Sequence, residues 1–159
     1  MVDPEAYIDI NIFVYWLGGH PTLGRAFYEW IKKIEGARRG KYITSALTLY
    51  QTMVIIAGLT GKNLKDQGLI EKLVNSINSL SGLRIIPLTM EDLTQAAKLM
   101  KEYSLDYEDA VHLATALRNK AKEIISNDED FDKTPLKKIQ LTQLRVLNLS
   151  FAPLDTVNN

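Results

Sequence analysis

Short apolar runs that alternate with stretches of helical periodicity constrain this chain more than any other feature. Residues 6–10, 42–44, 83–87 and 123–126 read as strands, and residues 141–149 as a fifth. Between them the apolar positions recur at helical spacing. Residues 11–17 form a short helix closed by Gly18 and Gly19. Thr22 caps a helix to about residue 35 with Leu23, Phe27, Trp30, Ile31 and Ile34 on one face. Ser45 opens a helix to about residue 57, and residues 64–80 carry the stripe Leu69, Leu73, Ile77 and Leu80. Thr89 caps residues 90–102, with Glu91 and Asp92 in the first turn, and either Ser104 or Asp106 caps a helix ending near Asn119. Strands alternating with helices imply βαβ units. The expected fold is therefore α/β, three layers, with a mainly parallel sheet of about five strands covered on both faces. One domain is expected over residues 1–150, with a tail at 151–159. In such sheets the chemistry sits just beyond the carboxyl ends of the strands.

Composition narrows the function classes. Lys plus Arg and Asp plus Glu both number 19, so no net field draws the chain to nucleic acid or membrane, and contacts must come from local patches. The chain has no cysteine, which excludes disulfides and thiolate metal sites and favours a reducing compartment. With only His20 and His112, a histidine-based metal site is disfavoured. The start, MVDPEAYIDI, lacks the basic residues of a signal peptide. The apolar stretches 12–17 and 53–59 are far shorter than the roughly 20 residues that span a bilayer. A soluble, cytoplasmic protein is expected.

Three acids lie where the fold would place a site. Asp9 ends the first strand in the otherwise apolar segment YIDINIF, where an unpartnered carboxylate is costly to bury. Asp128 follows the fourth strand in SNDEDF, and Asp109 borders the core stripe of its helix in DYEDAVHLATAL. Gathered carboxylates repel unless a cation neutralises them, and an all-oxygen donor set favours Mg²⁺ or Mn²⁺. Magnesium so held activates water and stabilises a leaving oxygen in phosphodiester cleavage. Each acid alone also has a plainer role: Asp9 as a helix cap, Asp109 as a first-turn acid, Asp128 as a turn residue. The functional reading rests on the set and its order.

The segments YIDINIFVYWL, ITSALTLYQ, DYEDAVHLATAL and IISNDEDFDK resemble the PIN-domain family, particularly the toxin ribonucleases of VapBC-type toxin–antitoxin pairs. The resemblance spans most of the chain in order and implies a PIN-like fold and Mg²⁺-dependent cleavage of RNA. Carried over by position, Asp9, Asp109 and Asp128 match the family's metal-site acids, Asn11 and Ser126 its supporting polar residues, and Asp130 a further acid. It also implies a small antitoxin partner that blocks the site, and a homodimer. One position departs. Where the family has S-x-L-T-x-x-E after the second strand, the segment that opens at Ser45 ends on Gln51, an uncharged amide. The enzyme works with three acids, helped by Asp130; or it is an impaired member, a PIN-fold module that binds RNA or protein without cutting; or the substitution quiets a toxic activity.

Other signals are weaker. Lys32, Lys33, Arg38, Arg39 and Lys41 form a basic stretch that reads either as an RNA-steering patch or as a solvated helix end and turn. Lys133, Lys137 and Lys138, nearer the acids, are the favoured RNA-binding candidates. His112, three residues after Asp109 and close to its helical face, reads as a packed, hydrogen-bonded histidine in preference to one that touches the site. No G-x-S-x-G nucleophile elbow occurs, and GLTGK fails the phosphate-loop spacing. A receiver domain lacks its acceptor aspartate after the third strand, and Asp9-Ile10-Asn11 fails the D-x-D of haloacid-dehalogenase-type phosphatases.

Overall fold

The computed structural model describes residues 3–19 and 23–140. Five strands form one sheet in the order β3-β2-β1-β4-β5. They are β1 (Ala6–Ile8), β2 (Tyr42–Ser45), β3 (Leu83–Ile86), β4 (Glu123–Ile125) and β5 (Lys137–Ile139), and all pairs are parallel. Helices α1 (Ile10–Leu17), α2 (Leu23–Glu35), α3 (Ala46–Leu59) and α4 (Gln67–Asn78) precede β3, while α5 (Met90–Tyr103) and α6 (Tyr107–Arg118) separate it from β4.

Strand side chains alternate between the two faces, and the two cores follow that alternation. Tyr7, Ile43 and Ile124 pack with Leu99, Val111 and Leu113 of α5 and α6. Ala6, Ile8, Tyr42 and Ile125 pack with Ile12, Phe27, Ile31 and Ile77 of α1, α2 and α4. These are the three expected layers. No helix among the described residues is long and apolar enough to cross a membrane.

Most elements end within one to three residues of expectation, and two of the differences have a clear physical reason. The first strand stops at Ile8 rather than residue 10, because Asp9 accepts a hydrogen bond from the Ile10 N–H and caps α1. The fifth strand is Lys137–Ile139, upstream of the expected span, pairing Glu123–Ile125 in register. The span 141–149, the tail and the Thr22 cap lie outside the described residues. Of the two cap candidates for α6, Asp106 takes the role, while Ser104 ends α5 with a left-handed φ of 53°.

The end of α6 is locked to the start of α5 by a pair between Arg118 and the buried Asp92. Arg118 Nε donates to Asp92 Oδ1 at 2.6 Å and Nη2 to Oδ2 at 2.9 Å, a two-point grip. Asp92 also accepts from the Thr89 N–H in a capping box. Burial pushes the Asp92 carboxyl up, but Arg118 and the Thr89 N–H outweigh it and hold the carboxyl below its usual range. A group so lowered contributes stability above its unfolded pKa and loses it in acid. Arg118→Ala should therefore destabilise the fold by about 3 kcal/mol at neutral pH, since it strands a buried charge. In urea titrations the deficit should shrink as the pH falls and Asp92 protonates.

Candidate metal centre

The carboxyl ends of β1 and β4 are neighbours in the sheet, so the residues that follow them are brought together across more than a hundred positions of sequence. Asp9 follows β1, and its N–H donates to Ile125 O at 3.0 Å, which fixes the backbone. The buried carboxylate accepts from Ile10 N at 2.8 Å through Oδ1 and from Ser126 Oγ at 2.6 Å through Oδ2. Ser126, fully buried, in turn accepts from the Asp128 N–H at 3.0 Å. Asp128 caps the short 3-10 helix Glu129–Lys133 by accepting from Asp130 N at 2.9 Å. One serine hydroxyl thus ties the two acids that follow the adjacent strands.

Asp109 enters from α6. Its N–H donates to the capping carboxylate of Asp106 at 2.8 Å. Carboxylate oxygens of Asp106, Asp109 and Asp130 lie within 4.8 Å of one another. Burial, followed by the charges of Asp128, Asp106, Asp9 and Asp130, pushes the Asp109 carboxyl up to about 7. Asp106 and Asp130 therefore crowd Asp109 directly, while Asp9 and Asp128 stand outside that group and act on it through their charge. Asp106 was not expected there: its role as a cap is legible, but its nearness to Asp130 depends on how α6 meets the segment after β4.

The supporting residues divide. Asn11 sits half-buried in the first turn of α1. Ser45 caps α3 through Thr48 N at 3.2 Å, and its Oγ lies 2.9 Å from the Tyr7 hydroxyl. Gln51 Oε1 lies 2.9 Å from His112 Nε2, and His112 Nδ1 lies 2.6 Å from the Tyr7 hydroxyl. His112 is buried, and that burial lowers its pKa against the pull of Asp9, Glu108 and Asp106. A neutral imidazole offers one donor and one acceptor, and an amide can meet either. A glutamate at position 51 could only accept.

Of the three lysines, Lys133 pairs with Asp130 at 3.9 Å and donates to Ser104 O, and Lys138 pairs with Asp132 at 2.7 Å. Both stand at the rim of the acids. Lys137 instead pairs with Glu123 at 3.6 Å, at the opposite end of the β4–β5 pair.

The PIN domain profile matches residues 6–137. The chain belongs to the PIN-domain family. No curated protein matches it. Solved structures share the fold of this PIN domain. A toxin–antitoxin complex from Klebsiella pneumoniae is 22% identical, with TM-score 0.62, covering 86% of this chain and 98% of that one. VapC20 of Mycobacterium tuberculosis, described as a Sarcin-Ricin loop cleaving toxin, is 14% identical, with TM-score 0.64 and coverage of 85% and 98%. VapBC2 from Rickettsia felis, bound to a DNA fragment from its promoter, is 16% identical, with TM-score 0.61 and coverage of 85% and 97%.

The donor set of this PIN domain is wholly carboxylate and crowded, which fits a hard divalent cation. Asp109 gives a direct test. A raised folded pKa favours the protonated form, so its contribution to stability is full below the unfolded value near 3.8 and lost as pH rises through about 7. Without divalent ions, Asp109→Asn should melt above the wild type at pH 8. After allowance for solvent screening of a half-exposed group, the gain is about 1–2 kcal/mol. The gap should close toward pH 4. Added Mn²⁺ should raise the melting temperature of the wild type and leave the variant unmoved.

Proposed function

We propose that this PIN domain is a divalent-metal-dependent endoribonuclease and the toxin of a toxin–antitoxin pair, working in the cytoplasm. The observation that carries the reading is the gathering of carboxylates at the carboxyl end of the sheet, with Asp106 and Asp130 beside Asp109 and the charges of Asp128 and Asp9 adding to the rise of its pKa to about 7. The toxin–antitoxin proteins among the structural neighbours support the toxin part. Asp9, Asp109 and Asp128 would hold Mg²⁺ or Mn²⁺, with Asp106 and Asp130 beside them. When bound, such an ion polarises a phosphate, activates water and stabilises a leaving oxygen. The chain's own residues orient the carboxylates: Ser126 aligns Asp9 with Asp128, Asp106 fixes the first turn of α6, and Asp109 would be the acid that releases a proton on binding a cation. Asn11 and Ser45 add polar support, while Lys133 and Lys138 stand where phosphates of an RNA would pass.

A protein partner is supported by α3. The exposed side of this helix carries Tyr50, Val54, Ile55 and Leu59, and its buried side carries Ile56 and Ala57 beside Thr48 and Thr52. A helix apolar on its outer face as well as its inner one is ordinarily covered. A small antitoxin and a second copy of the chain are the partners in this reading.

The alternative is a PIN-fold module that binds RNA or a protein partner with little or no cleavage. The hydrogen bond that Gln51 Oε1 accepts from His112 Nε2 favours it, since the amide has a structural partner. A single assay separates the two: cleavage of labelled RNA with Mg²⁺ or Mn²⁺ and with a chelator. The nuclease reading expects metal-dependent cleavage that falls at least about a hundredfold in Asp9→Asn and in Asp109→Asn. Cleavage surviving both substitutions rejects the assigned site. RNA bound but uncut, with cleavage appearing in Gln51→Glu, selects the alternative.

A further inference from the structure

The charge on this chain cancels in sum but not in space. The acids gather at the carboxyl end of the sheet, and a cleft of about 950 Å³ opens at the other end. Five cationic side chains line it: Arg38, Arg39, Lys41, Arg84 and Lys122. Only two acids accompany them, Asp3 and Glu5, and Glu5 is already paired with Lys41 at 3.2 Å. Arg38, Arg39 and Lys122 are exposed and make no ion pair among the described residues. Lys133 and Lys138, by contrast, are engaged by Asp130 and Asp132.

The cleft is built by the backbone rather than by loose side chains. Glu5 N donates to Lys41 O at 2.8 Å and Lys122 N to Glu5 O at 3.1 Å, which ties together the starts of β1, β2 and β4. The loop bearing Arg38 and Arg39 is held by Gly40 N to Gly82 O at 3.2 Å and by Lys41 N to Arg38 O at 3.0 Å. Gly82 is pressed against Ile34 O and the Ala37 side chain, so that no larger residue fits beneath the loop. Gly40 turns the chain with a φ of 82°. A fixed backbone lowers the entropy lost when the arginines engage a ligand.

We propose that this cleft is a second phosphate-binding site, one that takes the backbone of an RNA at the end of the molecule opposite the acids. The proposal rests on the RNA reading given above. Guanidinium groups grip phosphate oxygens at two points and keep their charge at any working pH. The acid end repels phosphates until a cation neutralises it, so binding strength must come from elsewhere on the surface. The cleft supplies it.

The test is fluorescence anisotropy with a fluorescein-labelled RNA hairpin in the presence of a chelator, so that nothing is cut. Wild type is compared with Arg38→Gln/Arg39→Gln, Lys122→Glu and, at the acid rim, Lys133→Gln/Lys138→Gln. The cleft variants should bind at least about tenfold more weakly at low salt, and the double arginine variant should lose about 1–2 from the slope of log affinity against log salt. The rim variant should lose less. Unchanged binding by both cleft variants overturns the proposal, as does a loss confined to the rim variant. ATP displacing the hairpin from the cleft with higher affinity than the hairpin itself also overturns it and marks a nucleotide pocket. A wild type that binds no hairpin removes the cleft and the RNA reading together. A hairpin bound through the cleft but never cut with Mg²⁺ or Mn²⁺ removes the nuclease reading alone.

Discussion

The crowding of negative charge around Asp109 is the constraint on which the rest of the site depends. Like charges this close raise one another's pKa, and a fold that gathers them loses stability for it. The chain offsets the repulsion locally. Asp9, Asp106 and Asp128 are each a helix N-cap, accepting from Ile10, Asp109 and Asp130 respectively. The partial positive charge of a helix start favours a carboxylate there. A carboxylate has two oxygens, so one can serve the cap while the other faces the cluster. The plain reading of these acids as caps and their reading as cation ligands are therefore compatible.

Asp109 differs, because no hydrogen bond to its carboxylate among the described residues offsets the charge around it, and its pKa is the one pushed up to about 7. Beside it the structure keeps other groups uncharged. Burial pulls the His112 imidazole toward its neutral form, the Tyr7 hydroxyl is pushed up by the same cause, and Gln51 joins the chain as an amide. A carboxylate at position 51 would draw a proton onto the imidazole. Gln51 suits the neutral state of this network, a physical reason for the residue that holds whatever the rate of the reaction.

Much of this was legible in the sequence. The strands of the sheet centre are short apolar runs, and Ser126 and Asp128 follow one of them in a local motif. Their edges were less so, because Asp9 reads as strand until its capping bond is seen. Strand β5 was hidden: Lys137–Ile139 is three residues long, begins with two lysines and joins the sheet as an edge. The partnership of Gln51 with His112, 61 positions apart, and the approach of Asp106 to Asp130 arise only from packing. The basic stretch 32–41 could be seen but not weighed, since its meaning depends on Arg84 and Lys122 arriving from other strands.

The central claim is that these carboxylates share a divalent ion. Anomalous diffraction from crystals soaked in Mn²⁺ at pH 8, where Asp109 is ionised, tests it most directly. The account expects a Mn²⁺ peak bonded to oxygens of Asp9, Asp109 and Asp128 together. A saturating soak that leaves this end of the sheet without a peak, or a peak that excludes Asp9 and Asp128, would contradict it.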